Sequence, residues 1–102
     1  MTTQSVKKPQ HLVALERANS VRLERALLKR DVASGEKSVA EVLREVPRCI
    51  ETMTVFDLLT AQRRWGGTKA SRFLHRIPIS DGKTIGTLTD RQRRAIIELI
   101  GR

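Results

Sequence analysis

Arg63-Arg64-Trp65-Gly66-Gly67-Thr68-Lys69-Ala70-Ser71-Arg72 joins two stretches of helical periodicity through a pair of glycines. Before it, Val55, Leu58 and Leu59 repeat at i, i+3 and i+4; after it, Ala70, Phe73, Leu74 and Ile77 repeat at i, i+3, i+4 and i+7. Two short amphipathic helices joined by a glycine turn are therefore expected. Thr68 is a good N-cap residue, so the second helix is predicted to start there, with unpaired amides just inside it. Unpaired amides, the positive end of a helix dipole and the flanking Arg63, Arg64, Lys69 and Arg72 together suit a phosphate. Gly66 and Gly67 have no side chains, so the backbone can lie close to such an anion. An ordinary helix–helix turn is the plainer alternative, but it gives no reason for so many cations.

Working outward, Pro78 ends the helix after the glycines, and residues 80–88 form a connector predicted to be flexible at Gly82 and Gly86. Thr89-x-x-Gln92 is a capping box, opening a last helix with Ile96, Ile97 and Ile100 on its apolar face. Upstream, Thr54 can cap the helix of Val55, Leu58 and Leu59, and residues 48–53 are a connector with one short turn. Ser38-x-x-Glu41 is a second capping box, followed by Val39, Val42, Leu43 and Val46, and Pro47 stops that helix. Residues 11–33 contain neither Gly nor Pro and read as one long helix, with Ala14, Ala18, Val21, Leu28 and Val32 in a narrow stripe. Its first turns offer a core little apolar surface, so that end is expected to project. Residues 1–10 read as a polar tail. Strand-like alternation is nearly absent. The prediction is all-α: a single domain over residues 11–102, with a long N-terminal helix followed by a small helical bundle.

Charge bounds the function more tightly than size does. Of 102 residues, 39% are apolar and only Phe56, Trp65 and Phe73 are aromatic, so the core should be aliphatic and modest. Twenty basic residues against eleven acidic give a net charge of +9, which suits a polyanionic partner. Residues 54–102 hold ten basic and four acidic residues, against ten and seven in residues 1–53, so the second half carries the field. Cys49 is alone, which rules out an intrachain disulfide and fits a reducing cytoplasm. The polar N-terminus is unlike a signal peptide, and no run is long and apolar enough to span a bilayer, so no membrane role is expected. His11 and His75 lie at no metal-site spacing with Cys49, and no carboxylate pair, Ser-His-Asp arrangement or Walker loop appears. Neither an enzyme nor a cofactor nor a metal site is expected.

The remaining basic residues each have two readings. Trp65 can stack on a base or cover the core. Lys69, Arg72 and Arg76 form a row that can meet a nucleic acid or face water, and only Asp81 is acidic in residues 58–89. Arg91, Arg93 and Arg94 crowd a helix start, where the dipole disfavours cations; a phosphate would compensate, and Asp90 does so in part. Arg22, Arg25 and Lys29 make a second basic strip, with Glu16, Glu24 and Asp31 available for local pairing.

Over roughly residues 14–100 the chain resembles the actinobacterial integration host factor family. The resemblance is carried by residues 55–59, by Gly66 with Thr68-Lys69-Ala70, and above all by Leu88-Thr89-Asp90-Arg91-Gln92-Arg93-Arg94-Ala95. It implies a helix-two-turn-helix module within residues 54–102. It also implies nucleoid-associated binding to the backbone of double-stranded DNA, with weak sequence preference and with bending or compaction as the output. A recombinase is an implied partner in integration, and a reading as an interaction module would add a host nucleoid protein. Carried over residue by residue, the first turn comprises Arg63, Arg64, Trp65, Gly66, Gly67, Thr68 and Lys69, with Arg72 beyond it. The second turn contributes Lys83 and Thr84, and the last helix contributes Arg91 and Arg93. Arg63 stands where the family usually has proline, and Gly67 where it has lysine. The family's Arg-Arg-x-Arg-Gly-Leu run is here Lys83-Thr84-Ile85-Gly86-Thr87-Leu88, so Thr84 and Gly86 replace two arginines. The first turn is therefore expected to bear more of the grip, through Arg63, Arg64 and Arg72. A carboxylate introduced at Gly67 is expected to repel phosphate without touching the core. Two rivals remain at this level: an RNA-binding helix-two-turn-helix protein, and an interaction module whose N-terminal helix docks a protein partner.

Overall fold

Helix α1 spans Gln10–Ser34, one residue longer at each end than predicted, and stops where Gly35 takes a left-handed backbone (φ 88°). The computed structural model describes residues 10–101, so the predicted tail lies outside the described residues except for Gln10, which belongs to α1. Leu28 and Val32 of the predicted stripe are buried and Val21 is half-buried, but Ala14 and Ala18 are exposed. The stripe thus runs off the end of the body it packs against. The N-terminal part of α1 projects, giving a molecule of 58 × 27 × 22 Å.

Helix α2, Val39–Arg44, opens on the predicted capping box: the Glu41 amide donates to Ser38 Oγ (3.1 Å) and the Ser38 amide to Glu41 Oε1 (3.4 Å). A short 3-10 turn, Arg48–Ile50, occupies the connector. Helix α3, Val55–Thr60, is capped by Thr54, whose Oγ1 accepts from the Asp57 amide (3.1 Å). Helix α4, Gly67–His75, follows the glycine turn. After a second 3-10 turn, Ile85–Thr87, the Thr89–Gln92 capping box opens α5, Asp90–Ile100. Each cap satisfies amides that its helix cannot, which is why these starts were readable from local sequence.

One core joins every segment. Leu43, Ile50, Leu58, Leu59, Leu74, Ile96, Val39 and Val55 are its fully enclosed side chains, and no polar or charged side chain is buried among the described residues. Helix α2 packs on α5, α3 on α4, and α1 on the Arg48–Ile50 turn. Arg25 fastens that last contact: its guanidinium donates from Nε to the Cys49 carbonyl and from Nη2 to Thr52 Oγ1. The second basic strip therefore loses its middle member to a structural role, while Arg22 stays exposed and Lys29 half-buried. Burial pushes the Cys49 thiol up, with Glu24 adding in the same direction and Arg25 opposing, which disfavours the thiolate.

Candidate nucleic-acid interface

The turn between α3 and α4 is tight. The Gln62 amide donates to the Leu59 carbonyl (3.2 Å) and the Trp65 amide to the Gln62 carbonyl (3.2 Å). Reversal of the chain falls on Arg64, which has φ 68°. It is the one non-glycine residue described in the left-handed region, where a β-carbon costs roughly 1–2 kcal/mol. Nothing in the sequence signalled it, because two adjacent glycines would have been the expected place for such a backbone.

Helix α4 begins earlier than predicted. Gly66, not Thr68, is its N-cap, with an extended backbone (φ −84°, ψ 175°) and no side-chain cap. Thr68 instead sits within the first turn of the helix. The first helical bond runs from the Ala70 amide to the Gly66 carbonyl (3.1 Å), leaving the amides of Gly67, Thr68 and Lys69 ahead of the ladder. Because glycine supplies no capping oxygen, these amides remain available to an anion. Arg63, Arg64, Gly66, Gly67, Thr68, Lys69 and Arg72 are all exposed, so the predicted first-turn residues stand at the surface on either side of those amides in the chain.

The two glycines differ in what they tolerate. A β-carbon at Gly66 would meet nothing within 4 Å, whereas one at Gly67 would lie 3.3 Å from Phe56 Cζ. The expectation that a side chain at Gly67 would leave the core alone is therefore corrected: Phe56 must give way to it. Trp65 is half-buried, edge-on to Phe73 with ring centroids 5.4 Å apart, and Lys69 Nζ lies 4.5 Å from the centre of its ring. In this arrangement Trp65 covers the core and holds Lys69 by a cation–π contact, with that face of the ring occupied.

The second turn is held by backbone. The Val55 amide donates to the Lys83 carbonyl (2.9 Å), the Ile85 amide to Met53 (2.9 Å) and the Gly86 amide to Glu51 (2.8 Å). Thr54 and Thr84 form an isolated antiparallel bridge there. Gly86 is not the flexible point predicted. A β-carbon on it would come 2.8 Å from the Glu51 carbonyl oxygen, so the arginine usual in the family at this position could not fit without a backbone shift. Asp81 ties the turn back to α4, accepting from Ser71 Oγ (3.0 and 3.2 Å) and lying 3.7 Å from His75 Nε2. Lys83 and Thr84 are half-buried on this braced segment. At the start of α5, Arg91 is exposed, but Arg93 is paired with Asp90 (Nη2 to Oδ1, 2.6 Å), the local offset the sequence had offered.

No family model matches the chain. Among curated proteins it is 33% identical over 94 residues to the integration host factor of Mycobacterium tuberculosis, covering 90% of each chain. It is also 33% identical over 91 residues to that of Mycolicibacterium smegmatis, covering 87% of each. Among solved structures, sIHF bound to an 8-base-pair palindromic DNA superposes with a TM-score of 0.75 at 26% identity, covering 82% of this chain and 97% of the other. Similarity that spans nearly the full length in sequence, on the same all-helical fold, settles the relationship: the chain belongs to the actinobacterial integration host factor family.

Proposed function

We propose that this protein is a non-enzymatic, architectural double-stranded DNA-binding protein of the nucleoid, which grips phosphates and bends or compacts the duplex. The uncapped start of α4 amid exposed cations carries this reading. Helix α4 has nine residues and is about 13 Å long, so the turns at its two ends are spaced comparably with the phosphate rails of one B-DNA groove. Gly67, Thr68 and Lys69 amides with Arg63, Arg64 and Arg72 would hold one rail, and Lys83 and Thr84 the other. Arg91 would extend the contact, while Arg93 would have to leave Asp90 to join it. Contacts of this kind fix position without reading bases, which accounts for weak sequence preference. The name of the mycobacterial relatives and the DNA held by sIHF support the reading.

A mobility-shift titration with Gly66→Glu and Gly66→Ala tests it. The glutamate enters open space beside the free amides, so duplex affinity should fall at least ~10-fold, as a lost charge-assisted contact and an added repulsion imply. The alanine should bind nearly as the parent does. Equal binding by Gly66→Glu would remove the α4 start from the interface, and tighter binding to structured RNA than to duplex DNA would favour an RNA target instead.

A further inference from the structure

Every large hydrophobic side chain that stands exposed among the described residues lies on α1: Leu12, Val13, Leu15, Leu23 and Leu27. Leu23 is 61% and Leu15 55% exposed. On a helix of 3.6 residues per turn, Leu12, Leu15, Leu23, Ala26 and Leu27 fall within about 120° of one another. That stripe lies opposite Val21, Leu28 and Val32, which pack on the bundle. Helix α1 is thus apolar on two opposite faces, one of them covered and one bare. Scattered exposed leucines need no explanation, but a stripe about 22 Å long on one helix does.

Charge sorts by sign along the edges of the stripe. Glu24 and Asp31 lie on one edge; Arg22 and Lys29 lie on the other, with Arg25 turned away to Cys49 and Thr52, while Glu16 falls within the stripe between Leu23 and Leu27. If two copies lay parallel, with stripes facing across a two-fold axis along the helices, each acidic edge would meet the other copy's basic edge. An antiparallel pair would set acidic edge on acidic edge and basic on basic. The bundle lies on the far side of α1, so the stripes can meet without the bundles colliding. Asn19 falls in mid-stripe, where a polar residue fixes register in two-stranded coils. Arg30 follows on the same line, and repulsion between its two copies would end the seam there. Residues 1–9 offer only Met1 and Val6 as large apolar side chains, too little to cover the stripe themselves.

We propose that the outer face of α1 is a self-association surface, pairing in parallel with α1 of a second copy of this chain. Few side chains make up the stripe, fewer than the roughly 20–30 residues a side of a standard interface, so the free dimer is weak and concentration-dependent. Sedimentation equilibrium on the full chain, from micromolar to near-millimolar concentration, should show a reversible monomer–dimer equilibrium. Glu24→Lys or Lys29→Glu alone should weaken the dimer several-fold, and the two together should restore it, with helicity unchanged by circular dichroism. Leu15→Glu with Leu23→Glu should abolish it, since neither side chain contributes to the core. Orientation follows from disulfide trapping in a Cys49→Ala background: Leu12→Cys and Ala26→Cys should each cross-link to themselves. A chain that stays monomeric throughout, a dimer indifferent to the leucine or charge changes, or cross-links that form only when the two cysteine variants are mixed would overturn the proposal.

Discussion

Arg64 combines a strained backbone with an exposed cation, and the two properties can be separated. Arg64→Gly keeps the left-handed turn and relieves the β-carbon clash, less the entropy a glycine gives up, so stability should rise by about 0.5–1 kcal/mol in urea titrations. If Arg64 contacts phosphate as proposed, duplex binding should weaken in the same variant. A turn that tolerates strain to hold a guanidinium in place is the pattern expected of a binding site. Loss of stability in Arg64→Gly would show that the side chain, not the backbone, is what the turn requires. Glycine positions invite the opposite experiment. Gly86→Ala should cost about 1–3 kcal/mol in thermal or urea melts, since the added carbon meets the Glu51 carbonyl at 2.8 Å and the backbone must move. An unchanged melt would mean that the second turn is looser than its hydrogen bonds imply.

Helix starts were the most legible elements because their determinants are local. Ser38–Glu41, Thr54 and Thr89–Gln92 cap the helices predicted for them, each within four residues of sequence. Thr89→Ala should therefore cost about 1 kcal/mol in chemical denaturation, the usual value of an N-cap. Illegible features were those whose partner lies far away in the chain. Gly86 owes its packing to Glu51, and Arg25 its fixed position to Cys49 and Thr52, and no spacing rule connects such residues. The start of α4 was misread for a different reason. Thr68 outranks glycine as a cap in isolation, but the turn through Arg64 brings the chain into helical geometry at Gly67, before Thr68 can serve. The difference bears on the proposed site, because a glycine cap leaves amides unpaired that a threonine hydroxyl would have occupied. Of the candidate site, the exposure of Arg63, Arg64, Lys69 and Arg72 around a glycine turn was legible, whereas the pairing of Arg93 with Asp90 and the packing of Trp65 on Phe73 depend on how the side chains are placed in space.

At the scale of the molecule, the design is a bundle of modest aliphatic core whose charge is concentrated around one hairpin, with a long helix standing off it. The enclosed core is apolar, and while Arg25 fastens α1 and Arg93 pairs with Asp90, Arg63, Arg64 and Arg72 stay exposed outside it. In the proposed binding mode, the second turn, with Thr84 and Gly86 in place of arginines, would leave more of the grip to Arg63, Arg64 and Arg72. The salt dependence of duplex binding separates this mode from a grip shared evenly by both turns. Neutralising about six phosphates should give a log–log slope of roughly −5, and Arg63→Ala with Arg64→Ala should flatten it by roughly 2. A slope near zero in the parent, or an unchanged slope in the double variant, would contradict the account.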